Sequence, residues 1–215
     1  FDDKYLLTAT IRRDGASNFS ANEKYALFPS AALGWKVSNE NFLKDSKAIS
    51  NLKFRASYGV TGNPSIGAYE SLSRLETLYA SSNGQTVSAV TPEQPENPNL
   101  KWESSYQTNF GIDLGLINNR VSVSLDYYNI DTKDLILTDN SITEYLGFSG
   151  DDILANVGEI NNRGLEIALS TKNILKEDFR WTTDFNIAFN KNEVVSLVND
   201  ADLEVVILQK QIEQR

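Results

Sequence analysis

The chain contains no cysteine, no histidine and no methionine. Without cysteine there is neither a disulfide framework nor a thiol nucleophile. Without histidine the chain lacks the commonest general base and the commonest metal ligand. No other catalytic constellation stands out, so we predict that the protein is not an enzyme and holds no metal or cofactor.

Positive charge is also scarce, with 20 basic against 29 acidic residues and a net charge of -9. Non-specific nucleic-acid binding depends on clustered lysine and arginine. The composition therefore argues against a nucleic-acid partner.

Long apolar runs are absent as well, and none approaches the roughly 18 residues of a transmembrane helix. A membrane β-barrel remains possible, because its strands alternate and never look hydrophobic on average. The chain opens on Phe1, without a signal peptide ahead of its first strand. We therefore expect it to be an internal piece of a longer protein.

What the sequence does contain is a repeated alternation, clearest over residues 52–60, LKFRASYGV. Even positions there are apolar or aromatic, and odd positions are basic, small or polar. A strand has a side-chain period of two, so the two sets lie on opposite faces of a sheet. One polar and one apolar face is typical of an outer-membrane barrel wall, with water inside and lipid outside.

The same alternation predicts seven strands of about the length that crosses a bilayer. They are 5–13, 28–37, 52–60, 106–114, 121–130, 164–171 and 181–190. Predicted lipid-facing residues are Leu33, Phe54, Phe110, Leu125, Ile167 and Ile187. Predicted lumen-facing residues are Arg12, Lys53, Arg55, Asp113, Asp126, Glu166 and Asp184.

The connections between these strands alternate in length. Long ones, 14–27, 61–105 and 131–163, are separated by shorter ones. Outer-membrane barrels have short periplasmic turns and long extracellular loops, so we predict that the three long segments are extracellular. With that orientation, aromatic residues fall near both ends of the strands, as interfacial girdles require.

A soluble or surface-exposed antiparallel β-sandwich for carbohydrate binding or adhesion is the alternative, since half-buried strands alternate there too. A structureless segment of the length of 61–105 is unusual in a compact soluble domain. The position of the aromatics at strand ends also favours the membrane barrel.

Six stretches resemble, in order, sequence words of the SusC/RagA-like TonB-dependent transporters. They are 5–17 (YLLTATIRRDGAS), 28–35 (FPSAALGW), 52–63 (LKFRASYGVTGN), 97–103 (NPNLKWE), 126–135 (DYYNIDTKDL) and 156–166 (NVGEINNRGLE). Each word alone is weak, but six in order are specific. Arg163 stands where the family usually has lysine.

The resemblance implies an all-β, antiparallel transmembrane barrel of about 22 strands, of which this chain is a fragment of the C-terminal half. It implies the outer membrane of a Gram-negative bacterium of the Bacteroidota, import of a glycan or peptide, and contact with outer-membrane lipid. It also implies a SusD-like lid lipoprotein and TonB, which would act through the absent N-terminal part with its plug domain.

Two aromatics of the 61–105 segment, Tyr69 and Trp102, are candidate substrate-binding residues because rings there can stack on sugars. They can equally pack the loop down on the barrel rim. The acidic segment 139–152 invites comparison with a calcium site, but its spacing does not match an EF-hand loop.

Overall fold

The chain folds into nine antiparallel β-strands in a computed structural model that describes residues 1–139 and 153–197. The strands are β1 (Tyr5–Gly15), β2 (Tyr25–Lys36), β3 (Ile49–Asn63), β4 (Arg74–Ser82), β5 (Gln85–Gln94), β6 (Glu103–Leu116), β7 (Val121–Asp139), β8 (Ile153–Leu175) and β9 (Arg180–Ser196). A short 3-10 helix, Val37–Asn39, follows β2. No helix in the described ranges is long and apolar enough to cross a membrane.

Seven of the strands form one sheet in the order β1-β2-β3-β6-β7-β8-β9. Each strand pairs with its sequence neighbour, except that β4 and β5 form a separate hairpin between β3 and β6. The prediction of seven antiparallel strands from alternation is confirmed, and no second sheet covers the large one among the described residues. The described residues therefore form a single wall of strands and not a two-sheet sandwich.

Residues 61–105 were predicted to lack regular structure, and that prediction is wrong. β4 and β5 lie inside this segment and join through Asn83 and Gly84, whose φ angles are 51° and 74°. Two consecutive positive φ angles are what a two-residue hairpin turn requires, and Asn-Gly is the pair that favours it. That local signal was present in the sequence.

The strands are also longer than predicted, chiefly around 131–163, where β7 extends to Asp139 and β8 begins at Ile153. Alternation ends near residue 130 because both faces are polar over residues 131–134 and both are apolar over residues 135–137. Backbone pairing between β7 and β8 continues there, with register shifts between Thr132 and Ile136. The apolar pattern thus marked one part of each strand and missed the rest.

Register aligns the apolar residues of all seven strands on one face, called the outer face below. One row of directly paired residues reads Tyr5, Trp35, Phe54, Ile112, Leu125, Ile167 and Ile187. The next reads Leu7, Leu33, Ala56, Phe110, Tyr127, Leu165 and Phe189. A slip of one residue in any pairing would turn that strand's apolar set to the opposite, inner face.

The buried core is a small cluster where the connecting segments meet, and it does not lie on the outer face. It consists of Phe19, Phe28, Leu100 and Trp102. The Trp102 ring lies 5.3 Å from that of Phe19 and 5.5 Å from that of Phe28, centroid to centroid. Its indole N–H donates to the backbone oxygen of Lys24 at 3.3 Å, which satisfies its polar atom.

Candidate functional site

The outer face is apolar and open. Among the predicted lipid-facing residues, Leu33 is 59% exposed and Phe110 is 54% exposed, and Phe54 and Ile187 are exposed too. Leu125 and Ile167 are half-buried between neighbouring strands. A contiguous apolar surface of this extent marks an interface with another apolar phase. All six residues lie on one face, and their contact with lipid stays a prediction.

The opposite, inner face carries a charged cluster that spans three strands. Arg55 on β3 donates from Nε and Nη2 to the two carboxylate oxygens of Asp113 on β6, both at 2.9 Å. Its Nη1 lies 2.8 Å from Oδ1 of Asp126 on β7. The hydroxyl of Ser124 donates to Asp126 at 2.9 Å and lies 3.1 Å from Asp113. One arginine therefore serves two carboxylates that would otherwise repel each other.

Gly111 makes this arrangement possible. It is paired with Arg55 on one side and with Asp126 on the other. A Cβ atom added at Gly111 would lie 2.6 Å from Cζ of Arg55 and 2.6 Å from Oδ1 of Asp126. The guanidinium crosses β6 over the space that this glycine leaves.

The other predicted lumen-facing residues occupy inner-face positions without forming one site. Arg12 pairs with Asp14 at 2.8 Å and lies over the ring of Phe28 at 5.7 Å. Glu166 lies directly opposite Asp126, and Asp184 opposite Ser170. Within residues 1–139 and 153–197, Lys53, Glu166 and Asp184 make no ion pair. Contact of these residues with a water-filled lumen stays a prediction.

An amide-rich depression surrounds Glu166 on the inner face, and the sequence reading missed it. It is lined by Gln107, Asn109, Asp126, Tyr128, Ile130, Asn162, Glu166 and Asn192. Tyr128 lies against Gly164, where an added Cβ would come within 2.6 Å of the phenol oxygen. Amides, a phenol and a carboxylate can hydrogen-bond a polar ligand. On β7, β8 and β9 these residues all have even numbers, so the alternation of the sequence could have assigned them to one face together.

Aromatic residues meet a carboxylate at the end of the sheet where the short connections lie. The rings of Tyr5 and Trp35 stack at 6.4 Å, and Trp35 lies 6.2 Å from Phe54. The Tyr5 hydroxyl and the Trp35 indole N–H both donate to Oε1 of Glu40, at 2.8 and 3.1 Å. These bonds, with the ammonium of Lys4 3.2 Å from Oε2, lower the pKa of Glu40. Apolar bodies with hydrogen-bonded tips are typical of a membrane–water boundary.

The two candidate substrate-binding aromatics differ sharply. Trp102 is only 6% exposed and packs in the core cluster, so its ring is not free to stack on a sugar. Of the two roles considered for it, packing of the loop is the one that fits this position. Tyr69 is 70% exposed, with a φ of 67°. Only Tyr69 remains a candidate contact.

The described parts of the chain hold no group of three or more carboxylate, imidazole or thiol side chains placed to bind a metal ion. The acidic segment compared with a calcium site, apart from Asp139 at its start, lies outside the described residues.

Comparison with known proteins agrees with this geometry. The family model described as "TonB dependent receptor-like, beta-barrel" matches residues 1–205. TonB-dependent receptor P3 of Formosa agariphila is 47% identical over 94% of this chain, which covers 20% of that protein. TonB-dependent receptor SusC of Bacteroides thetaiotaomicron is 37% identical over 95% of this chain and 21% of its own length. The chain thus spans about a fifth of the relatives it matches.

Solved structures give the same result. The RagAB peptide importer in its open-open state superposes with a TM-score of 0.83 and 28% identity, covering 93% of this chain and 21% of that one. The closed-closed state gives a TM-score of 0.80 at 28% identity, covering 92% and 21%.

Proposed function

Because the chain belongs to the TonB-dependent receptor β-barrel family, we propose that its full-length protein imports an oligosaccharide or peptide across the outer membrane. Energy for import is delivered by TonB. This chain supplies seven strands of the barrel wall, part of the lumen surface and three extracellular loops. Receptors of this family are outer-membrane β-barrels, and the relatives come from Bacteroidota.

The observation that carries the proposal is the opposite character of the two faces. The outer face presents rows of apolar side chains with no sheet or helix of the described chain packed on them. The inner face bears the arginine–aspartate cluster and the amide-rich depression. Charge on the lipid side of a barrel costs about 2–4 kcal/mol at the midplane, whereas polar groups suit a water-filled lumen.

The proposal assigns the segments 14–27, 61–105 and 131–163 to the extracellular side. The core cluster ties together the connections that hold Phe19 and Leu100. Asn97 donates to the backbone oxygen of Leu154 at 2.7 Å, and Ser20 donates to that of Pro98 at 2.6 Å. A connected rim of this kind suits capture of substrate and contact with a SusD-like lid lipoprotein. Tyr69 is one of the exposed aromatics of these segments, as are Tyr25 and Tyr79.

The experiment that tests the two faces compares neighbouring positions of β3 in the full-length protein. A spin label is attached through Ala56→Cys or Ser57→Cys, two small residues on opposite faces, after any cysteine outside this cysteine-free segment has been replaced by serine. We expect high collision with oxygen and low collision with a water-soluble nickel reagent at position 56, and the reverse at 57. Low access of both reagents at position 56 would indicate a buried protein core and would overturn the proposal.

Import itself is tested in cells lacking the gene. Uptake of labelled oligosaccharides and of labelled peptides is measured with the gene absent, restored, and restored under collapse of the proton gradient. We expect uptake of one class to return with the gene and to stop without the gradient, because TonB transmits that energy. Unchanged uptake in the deleted strain would contradict an import role.

A further inference from the structure

The apolar part of the outer face ends at different heights on different strands. On β8 and β9 the first charged outer-face residues are Arg163 and Lys191, directly beyond Leu165 and Phe189. On β1 apolar residues continue to Ile11, and the first charge is Arg13. Measured from the paired row that contains Leu7 and Leu165, the first charge comes four residues farther along on β1 than on β8. Four residues correspond to about 13 Å of strand length. An oblique boundary is what tilted strands produce against a flat membrane.

This boundary places a basic pair at the edge of the apolar surface. Arg163 and Lys191 are directly opposite each other on adjacent strands, so their Cα atoms are about 5 Å apart. Their side chains are 47% and 58% exposed. Two long cationic side chains at this spacing can reach one small anion from the same face.

The pair keeps an excess of positive charge among its own contacts. Glu193, on the row beyond, is the shared partner, 2.8 Å from Lys191 and 3.7 Å from Arg163. The neighbouring carboxylate of Asp131 accepts amide hydrogen bonds from Asn161 at 2.6 Å and Asn129 at 2.9 Å instead. One carboxylate therefore serves two cations, and the cations lie nearer the apolar edge than the carboxylates do.

We infer that Arg163 and Lys191 bind the phosphate of an anionic lipid headgroup whose acyl chains lie on Leu165, Phe189 and Tyr127. The inference rests on the proposed membrane location. Guanidinium groups bind phosphate oxygens through paired N–H donors, and an ammonium adds a point charge. The aliphatic stems of both residues extend along the apolar surface while the charged heads reach the headgroup level.

The test counts lipids retained by the full-length protein. Wild type, Arg163→Gln/Lys191→Gln and Arg163→Lys/Lys191→Arg are placed in nanodiscs of phosphatidylcholine and phosphatidylglycerol in equal amounts, and bound lipids are counted by native mass spectrometry. The matched control is Arg12→Gln/Lys53→Gln, which removes the same two residue types from the inner face. We expect the first double variant to lose phosphatidylglycerol at least about fivefold relative to phosphatidylcholine, the factor one cation contributes near an anionic surface. Arg163→Lys/Lys191→Arg and the Arg12→Gln/Lys53→Gln control should retain as much phosphatidylglycerol as wild type.

Three results would overturn the inference. Equal retention by wild type and Arg163→Gln/Lys191→Gln shows that the pair binds no lipid. Displacement of phosphatidylglycerol by inorganic phosphate shows an anion site that needs no acyl chain. Loss in the Arg12/Lys53 control alone shows that the faces are reversed. The labels at positions 56 and 57 tell the cases apart, since the lipid site can fail while the membrane location holds.

Discussion

Arg55 and Asp126 are joined by an ion pair of 2.8 Å although they belong to strands that are not neighbours. The intervening strand β6 contributes Gly111 at the crossing and Asp113 as the second acceptor. The pair fastens three strands together on the inner face, independently of the backbone ladder.

Gly111→Val should therefore destabilise the barrel. The added side chain would occupy the space between the guanidinium and the Asp126 carboxylate, and overpacking of this kind costs about 1–3 kcal/mol. We expect a lower midpoint of thermal unfolding for the full-length protein in detergent. Gly59→Ala is the control, because its Cβ would meet only the Cβ of Ser30, at 3.3 Å. Equal midpoints for Gly111→Val and wild type would contradict the crossing geometry.

Removing the cation tests the cluster from the other side. Arg55→Gln leaves Asp113 and Asp126 near each other without their shared partner. Because the three side chains are 34%, 31% and 26% exposed, we expect a loss of about 1–2 kcal/mol, less than for a fully buried pair. A double-mutant cycle with Asp126→Asn, read from denaturant unfolding, should show coupling of about 1 kcal/mol. Additive effects would mean that the two side chains act independently.

Tyr69 and Trp102, the two candidate substrate-binding aromatics of the 61–105 segment, should separate stability from binding. Trp102→Ala removes the centre of the buried cluster, and such a truncation costs about 3–5 kcal/mol. We expect limited proteolysis to cut the connecting segments faster in this variant. Tyr69→Ala should leave the proteolysis rate unchanged, since its ring is exposed, and lower substrate affinity if the rim captures substrate. Faster proteolysis of Tyr69→Ala than of Trp102→Ala would reverse these assignments.

Glu40 should make the short-turn end sensitive to acid. Hydrogen bonds from Tyr5 and Trp35 lower its pKa below the ordinary value of 4.5. The Glu40 carboxylate therefore binds a proton more readily in the unfolded chain than in the folded one. Its contribution to the free energy of unfolding is complete above about pH 4.5 and is lost as pH falls through the lower folded-state pKa. Glu40→Gln should remove this part of the pH dependence. The measurement is the difference in tryptophan fluorescence between wild type and Glu40→Gln from pH 7 to pH 3; a difference that does not change with pH would count against it.

The faces of the seven wall strands were determined by the sequence alone. A strand's period of two is set by covalent geometry, so the alternation around Phe54 and Ile187 assigned each residue to a face before any pairing was known. The Asn83-Gly84 turn was equally local, and the hairpin around it could have been read from the same residues.

Only the tertiary structure decided which residues of different strands meet. Three contacts join segments that are distant in sequence. They are the ion pair of Arg55 with Asp126, the packing of Trp102 on Phe19, and the pairing of Arg163 with Lys191. Interstrand register sets the two contacts between strands, and register depends on backbone pairing along whole strands, including polar parts without an apolar pattern. The packing of Trp102 on Phe19 depends instead on how the connecting segments fold over the end of the sheet. The sequence thus determined which way each side chain points, and the folded sheet determined its neighbours.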